Sequence, residues 1–216
     1  QEAEGAGILL LEEQLNISLI YVSYLKRAIN TANICLKQLK KTNLEIIYDW
    51  RLNERHYGNL QGLNKFETAK KYGDDQVQIW RRSFDIPPPP LSKDDDRHPK
   101  YDKLYKHIQR DQLPSAESLK DTLERVKPLW LNQILPKLNN GENVLIVAHG
   151  NSIRAIVKML KNISSEDIMK LNIPTGEPYI FDFDSKLDVI SDYYLKDKNE
   201  IAKKAEQVAN QAASKD

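Results

Sequence analysis

Residues Asn143 to Ala155 read NVLIVAHGNSIRA. The opening segment, Asn143 to Ala148, is a nearly unbroken apolar run that suits a strand covered on both faces, as in a parallel sheet. It runs directly into His149 and Gly150. From about Ser152 the residues Ile153, Ile156, Val157 and Leu160 recur at helical spacing, so the stretch predicts a strand, a turn at His149 to Asn151 and a helix. In open α/β sheets ligands bind at such turns, where a helix amino terminus offers unpaired amides and partial positive charge to an anion. His149 stands where an imidazole can donate to a phosphoryl oxygen. Taken as a lone residue it reads equally well as a satisfied core histidine.

Upstream, Leu25, Ala28, Ile29, Ala32, Cys35, Leu36 and Leu39 recur three and four residues apart. That period predicts a helix capped by Ser23, with Arg27 in its first turn. The β-branched segment Leu44 to Tyr48 predicts a strand, and Leu52 to Gly62 has the polar, glycine-bearing composition of a loop. Pro87 to Pro90 is a stiff extended run without backbone donors, and residues 87–117 read as an irregular insertion with short helical pieces, either a lid or a surface excursion. Helical spacing returns over Ser118 to Leu138, with a kink expected at Pro128. Ser164 and Asp167 fit a capping box. Tyr179 to Phe183 and Leu187 to Ile190 predict a hairpin joined by Asp184 to Lys186, and Asn199 to Ala213 predicts a charged, alanine-rich helix within a tail over 199–216. Residues 1–216 together read as one α/β domain.

The 216 residues carry 32 Lys and Arg against 31 Asp and Glu, a formal net charge of +1. That balance demands neither nucleic acid nor an anionic membrane as partner, so any preference for anions is local. The lone Cys35 forms no internal disulfide and lies on an apolar helical stripe, which predicts a buried structural thiol. With no signal peptide and no long apolar span, the expected setting is soluble, reducing and cytoplasmic. The four histidines are scattered, without His-Glu-x-x-His or Cys-x-x-Cys spacing, so no metal is expected. LQGLNK at Leu60 to Lys65 is not a nucleotide-binding loop.

The run from Trp50 to Leu91, WRLNERHYGNLQGLNKFETAKKYGDDQVQIWRRSFDIPPPPL, concentrates site-like charge. Glu54 stands between Arg51 and Arg55, a triplet that in most sequences is a solvated loop making weak ion pairs. Arg81 and Arg82 end a helical stretch from Asp74, where basic residues also complement a helix dipole. Arg27, Tyr57, Lys65 and Asn151 each read alone as ordinary surface residues. Together with AHGNSIRA at Ala148 to Ala155, NIPTG at Asn172 to Gly176 and YYL at Tyr193 to Leu195, the run closely resembles the signature of the cofactor-dependent phosphoglycerate mutases, a branch of the histidine phosphatase superfamily. The resemblance covers essentially the whole chain.

The resemblance implies a three-layer α/β sandwich with a mostly parallel sheet, and interconversion of 3-phosphoglycerate and 2-phosphoglycerate in glycolysis and gluconeogenesis. The phosphoryl group would pass through a phosphohistidine primed by 2,3-bisphosphoglycerate, without a metal. It gives Glu54 the role of general acid and base and His149 that of second histidine, stabilising the transferring oxygens. It places Arg27, Tyr57, Lys65, Arg81, Arg82, Gly150 and Asn151 around a small phosphorylated three-carbon acid. It further implies a homodimer or homotetramer, with the segment Val208 to Gln211 compatible with closure over the site. In the family a first central strand ends in Arg-His-Gly with the nucleophilic histidine, and that strand would precede Gln1. Residues 1–216 are therefore expected to be inactive or an incomplete version of a mutase. Two alternatives stay open: a bisphosphoglycerate or phosphomonoester phosphatase, and a non-catalytic protein that binds phosphorylated ligands.

Overall fold

The computed structural model describes residues 1–41 and 43–212, side chains at 65, 66, 211 and 212 excepted. Helices and strands run in the order α1 (Glu2–Glu12), β1 (Leu19–Val22), α2 (Lys26–Leu39), β2 (Glu45–Tyr48), α3 (Lys65–Tyr72), α4 (Asp74–Arg82), α5 (Leu119–Leu129), α6 (Leu135–Asn139), β3 (Val144–Val147), α7 (Gly150–Leu160), β4 (Tyr179–Phe183), β5 (Val189–Tyr194) and α8 (Lys198–Ala212).

All four residues of β1 are buried, because β1 is the middle of a three-stranded parallel sheet ordered β2-β1-β3. Alternate side chains leave opposite faces of a strand. Ile20 and Val22 accordingly enter one apolar cluster with Leu10, Ala28, Ala32 and Leu36, under α1 and α2. Leu19 and Tyr21 enter a second with Val126, Leu129, Ile134 and Ile156, under α5 and α7. Burying each large aliphatic side chain stabilises the fold by roughly 1.5–3 kcal/mol. The result is a helix-sheet-helix sandwich. Cys35 belongs to the α1–α2 contact, where its Sγ faces the carbonyl of Ala3 and burial pushes its pKa up.

The register sets Val22 beside both Tyr48 and Val147, so all three strands end at one level. Residues just past those ends, Ser23, Asp49 and His149, therefore share one rim of the sheet. β3 has apolar neighbours on both faces, Leu145 toward one cluster and Val144 and Ile146 toward the other. Those three residues are nevertheless only half-buried, since β3 is a sheet edge among the described residues.

Three local expectations shift. The departure from α geometry falls at Trp130–Ile134 and not at Pro128: five residues adopt a π turn in which Leu135 N–H reaches the carbonyl of Trp130. This widening precedes Pro136, which has no N–H and whose ring would meet an i−4 carbonyl. In the hairpin, β5 starts at Val189 instead of Leu187, because Asp184 Oδ1 accepts from the amides of Lys186 and Asp188 and extends the turn. The β4–β5 pair is antiparallel and forms its own sheet. The helix after β3 begins at Gly150, earlier than the apolar period indicates.

Residues 87–117 carry 3-10 turns at Pro99–Tyr101, Lys103–Tyr105 and Arg110–Gln112. Gly58 lets this stretch pack against the Glu54 loop. Its φ is +55°, and a Cβ there would lie 2.2 Å from the carbonyl oxygen of Pro89.

Candidate active site

Two strand ends meet at His149. Ser23, completely buried after β1, places Oγ 2.7 Å from His149 Nε2. Ser23 does not cap α2, as the sequence period suggested; Leu25 is the N-cap residue, in extended conformation. The serine accepts the amide of Leu25 at 3.2 Å and holds the histidine instead. Arg27, one residue into α2, donates its Nε–H to His149 Nδ1 at 2.9 Å. Arginine has no acceptor atom. His149 Nδ1 is therefore unprotonated and its Nε2 carries the proton toward Ser23. Burial, then the charges of Arg27 and Arg125, lower its pKa to about 3. The backbone is held equally firmly: His149 N–H donates to Ser152 Oγ, whose hydroxyl returns to the His149 carbonyl, both at 3.1 Å.

The Glu54 loop approaches from β2. Asp49 caps its first turn, accepting Arg51 N at 2.8 Å, and binds the Arg51 guanidinium in bidentate fashion. The Arg51 guanidinium is thereby committed to Asp49. Glu54 Oε1 accepts the amide of Arg55 at 2.7 Å, and Oε2 lies 4.0 Å from the Cβ position of Gly150. The carboxylate therefore stands over the amino terminus of α7, beside His149. Arg55 is 2% exposed, with its guanidinium on the carbonyls of Trp80 and Arg81 and against the ring of Tyr57. His56 accepts the amide of Gly58 on Nδ1, a structural part, and burial lowers its pKa.

A third chain of contacts runs along α7. Asn151 Nδ2 donates to the Tyr57 hydroxyl at 3.1 Å, and Asn151 Oδ1 accepts from Arg154 at 3.0 Å. Arg154 also donates to the carbonyl of Ile168. Burial, then Arg55 and Arg82, lower its pKa to about 10. Arg81 and Tyr57 line a cavity of about 220 Å³ with Leu60, Leu63, Thr68 and Val77. Arg82 donates to Asn172 Oδ1 and to the carbonyl of Ala209, so α8 reaches this arginine.

His149, Glu54, Arg27, Tyr57, Gly150 and Asn151 are thus joined in one constellation. Arg81 borders it through the cavity, and Arg82 acts on it through the field at Arg154 and through α8. Lys65 opens α3, but its side chain lies outside the described residues, as do the side chain of Gln211 and all of Ala213. Sequence reading missed Arg55 and Arg154. Arg154 had a local signal, standing three residues after Asn151 on the same helix. Arg55 had none, because its buried position depends on α4.

The site is rich in cations, and among the described residues the Nε atoms of Arg55 and Arg154 are buried without a partner. Such a donor set suits a polyanion, whose oxygens satisfy fixed guanidinium N–H groups. Among the described residues no group of three or more His, Cys, Asp or Glu is arranged to hold a metal ion, and no helix is long and apolar enough to cross a membrane.

This fold, with His149 and Glu54 both at the amino terminus of α7 among arginines, is that of a phosphoryl-handling α/β protein. The histidine phosphatase superfamily (branch 1) model matches residues 2–96 and 90–195. The 2,3-bisphosphoglycerate-dependent phosphoglycerate mutase of Parabacteroides distasonis is 52% identical over 214 residues, covering 99% of this chain and 86% of the relative. The enzyme of that name from Borreliella burgdorferi is 50% identical over the same shares. The chain belongs to the 2,3-bisphosphoglycerate-dependent phosphoglycerate mutase family within the histidine phosphatase superfamily. Solved structures carry the same fold at lower identity. Mycobacterial glucosyl-3-phosphoglycerate phosphatase aligns with TM-score 0.61 and 20% identity over 89% of this chain and 82% of that one. Bacillus stearothermophilus YhfR aligns with TM-score 0.59 and 20% identity over 87% and 78%.

Proposed function

We propose that this protein interconverts 3-phosphoglycerate and 2-phosphoglycerate by passing a phosphoryl group through a phosphohistidine. The observation that carries the reading is the approach of Glu54 Oε2 to Gly150 at the amino terminus of α7, next to His149 and Arg27. Bisphosphoglycerate, when bound, supplies the priming phosphoryl group, and the buried unpartnered guanidinium nitrogens fit its charge.

In the forward step the P–N bond of the phosphohistidine, which by the family resemblance is the nucleophilic histidine of the Arg-His-Gly strand and not His149, breaks as a P–O bond forms to the substrate hydroxyl, and Glu54 takes the hydroxyl proton. In the return step the other P–O bond breaks, the phosphoryl group rejoins the histidine, and Glu54 gives its proton to the departing oxygen. His149 is neutral and offers only its Nε2–H, while Arg27 holds the imidazole and faces the transferring oxygens with its charge. Gly150 exposes the helix amides, Asn151 and Tyr57 are mutually oriented, and Arg81 with Arg82 supplies further positive charge for phosphate and carboxylate. Lys65, from the family resemblance, adds another cation. A homodimeric or homotetrameric assembly and a cytoplasmic setting are carried by the same resemblance.

An enolase-coupled assay of the full-length protein with 3-phosphoglycerate and 2,3-bisphosphoglycerate tests the proposal. Isomer formation well above phosphate release is the expected result. Phosphate release without isomer formation would show a phosphatase, and saturable ligand binding without turnover a non-catalytic binder.

A further inference from the structure

Glu117 and Arg125 form a buried ion pair with side chains 4% and 6% exposed, and neither belongs to the constellation described above. Arg125 grips Glu117 with two N–H groups, Nε to Oε1 at 2.6 Å and an Nη to Oε2 at 2.9 Å. The remaining donors of the same guanidinium go to main chain, reaching the carbonyl of Arg51 at 2.6 Å and that of Asn53 at 3.3 Å. Glu117 in turn accepts the amide of His56 at 2.9 Å, and its own amide donates to the His56 carbonyl at 2.8 Å. The residues enclosed between these anchors are Glu54 and Arg55.

We propose that the Glu117–Arg125 pair is a positioning device for Glu54: it holds the backbone before and after the carboxylate at a fixed height over α7. The proposal rests on the mutase reading, because it assigns the pair's purpose to proton transfer at Glu54. A buried pair of this kind is weak evidence of stabilisation by itself, since desolvation offsets much of the attraction. Here the guanidinium donors left over after pairing go to the carbonyls of Arg51 and Asn53 before Glu54, while Glu117 holds the backbone of His56 after it. Planarity matters as well, because a guanidinium serves the carboxylate and the two carbonyls together and an ammonium does not.

The test uses Arg125→Lys and Glu117→Gln in the full-length protein, with circular dichroism to establish folding. A misplaced catalytic group is expected to lower kcat by about 100-fold while KM for phosphoglycerate stays within about twofold. In a Glu54→Gln background the same Arg125→Lys change is expected to lower the residual rate by less than about twofold, because the two changes act through one group. A folded Arg125→Lys protein with unchanged kcat would overturn the proposal, as would full multiplication of its effect on Glu54→Gln. If both single variants fail to fold, the pair serves stability and the proposal is wrong. Absence of mutase turnover in the unsubstituted protein would instead refute the functional reading, and this inference with it.

Discussion

Arg27 donates its Nε–H to Nδ1 of His149 at 2.9 Å, and that contact determines which form of the imidazole the fold contains. A protonated Nδ1 would meet a donor head-on. Ser23 on the opposite side accepts what the other nitrogen offers.

His149 is accordingly neutral, with its pKa lowered to about 3 by burial, Arg27 and Arg125. An unfolded imidazole takes up its proton near pH 6.5, so between about 6.5 and 3 the unfolded chain binds more protons than the folded one. Stability falls as pH falls through this window, by an amount on the order of a few kcal/mol at its acid end. Urea melts from pH 7 to 4 are expected to slope less in His149→Asn than in the unsubstituted protein. His56, also lowered by burial, keeps part of the slope. An NMR titration of the His149 ring with a midpoint near neutrality would contradict this account.

Glu54→Gln keeps the shape of the side chain and removes its ability to carry a proton. With Glu54 as general acid and base, kcat should drop by about 10²–10⁴-fold. The enolase-coupled assay with saturating bisphosphoglycerate measures this. A loss confined to KM would move Glu54 from proton transfer to binding.

Gly58→Ala forces a side chain onto φ +55° and a Cβ to within 2.2 Å of the Pro89 carbonyl oxygen and 2.9 Å of the Ala116 Cβ. Holding a non-glycine residue there costs about 1–3 kcal/mol before the clash is relieved. A thermal melt should shift down by about 2–4 °C per kcal/mol for a chain of this size. Faster proteolysis within 87–117 is expected with it. An unshifted melt would mean that the proline run does not rest on this glycine.

Glu177, 1% exposed at its side chain, binds Lys196 at 2.9 Å and also Lys204 of α8. Its hydrogen bond raises the pKa of Lys204. Glu177→Gln removes the charge that ties α8 to the loop before β4. The lysines are 28% and 35% exposed and regain water, so the loss is modest, roughly 1–2 kcal/mol. Limited proteolysis should cut earlier in α8, and Arg82 should lose its contact with the Ala209 carbonyl. Unchanged cleavage would show that α8 is held by other contacts.

Local periodicity was enough to read β2, β3, α2 and α7 from the chain, because a strand or an amphipathic helix writes its buried face into residues a few positions apart. His149 was legible for the same reason: the apolar run before it and the helical period after it set it at a strand-to-helix turn. The run around Glu54, by its resemblance to a family signature, singled out that carboxylate. Ser23 was misread as a cap because its neighbours in sequence say nothing about a histidine 126 positions away. Arg55 looked like solvated charge because α4, which buries it, is absent from the local pattern. The π turn at Trp130–Ile134 and the later start of β5 likewise answer to Pro136 and to Asp184, whose bonds displace a simple period. By itself, then, the sequence determined which segments have a face to bury and which residues are candidates for the site. Tertiary structure decided which donors meet which acceptors, and so the charge of His149 and the setting of Glu54, because hydrogen bonds across dozens of residues exist only once the strands are in register.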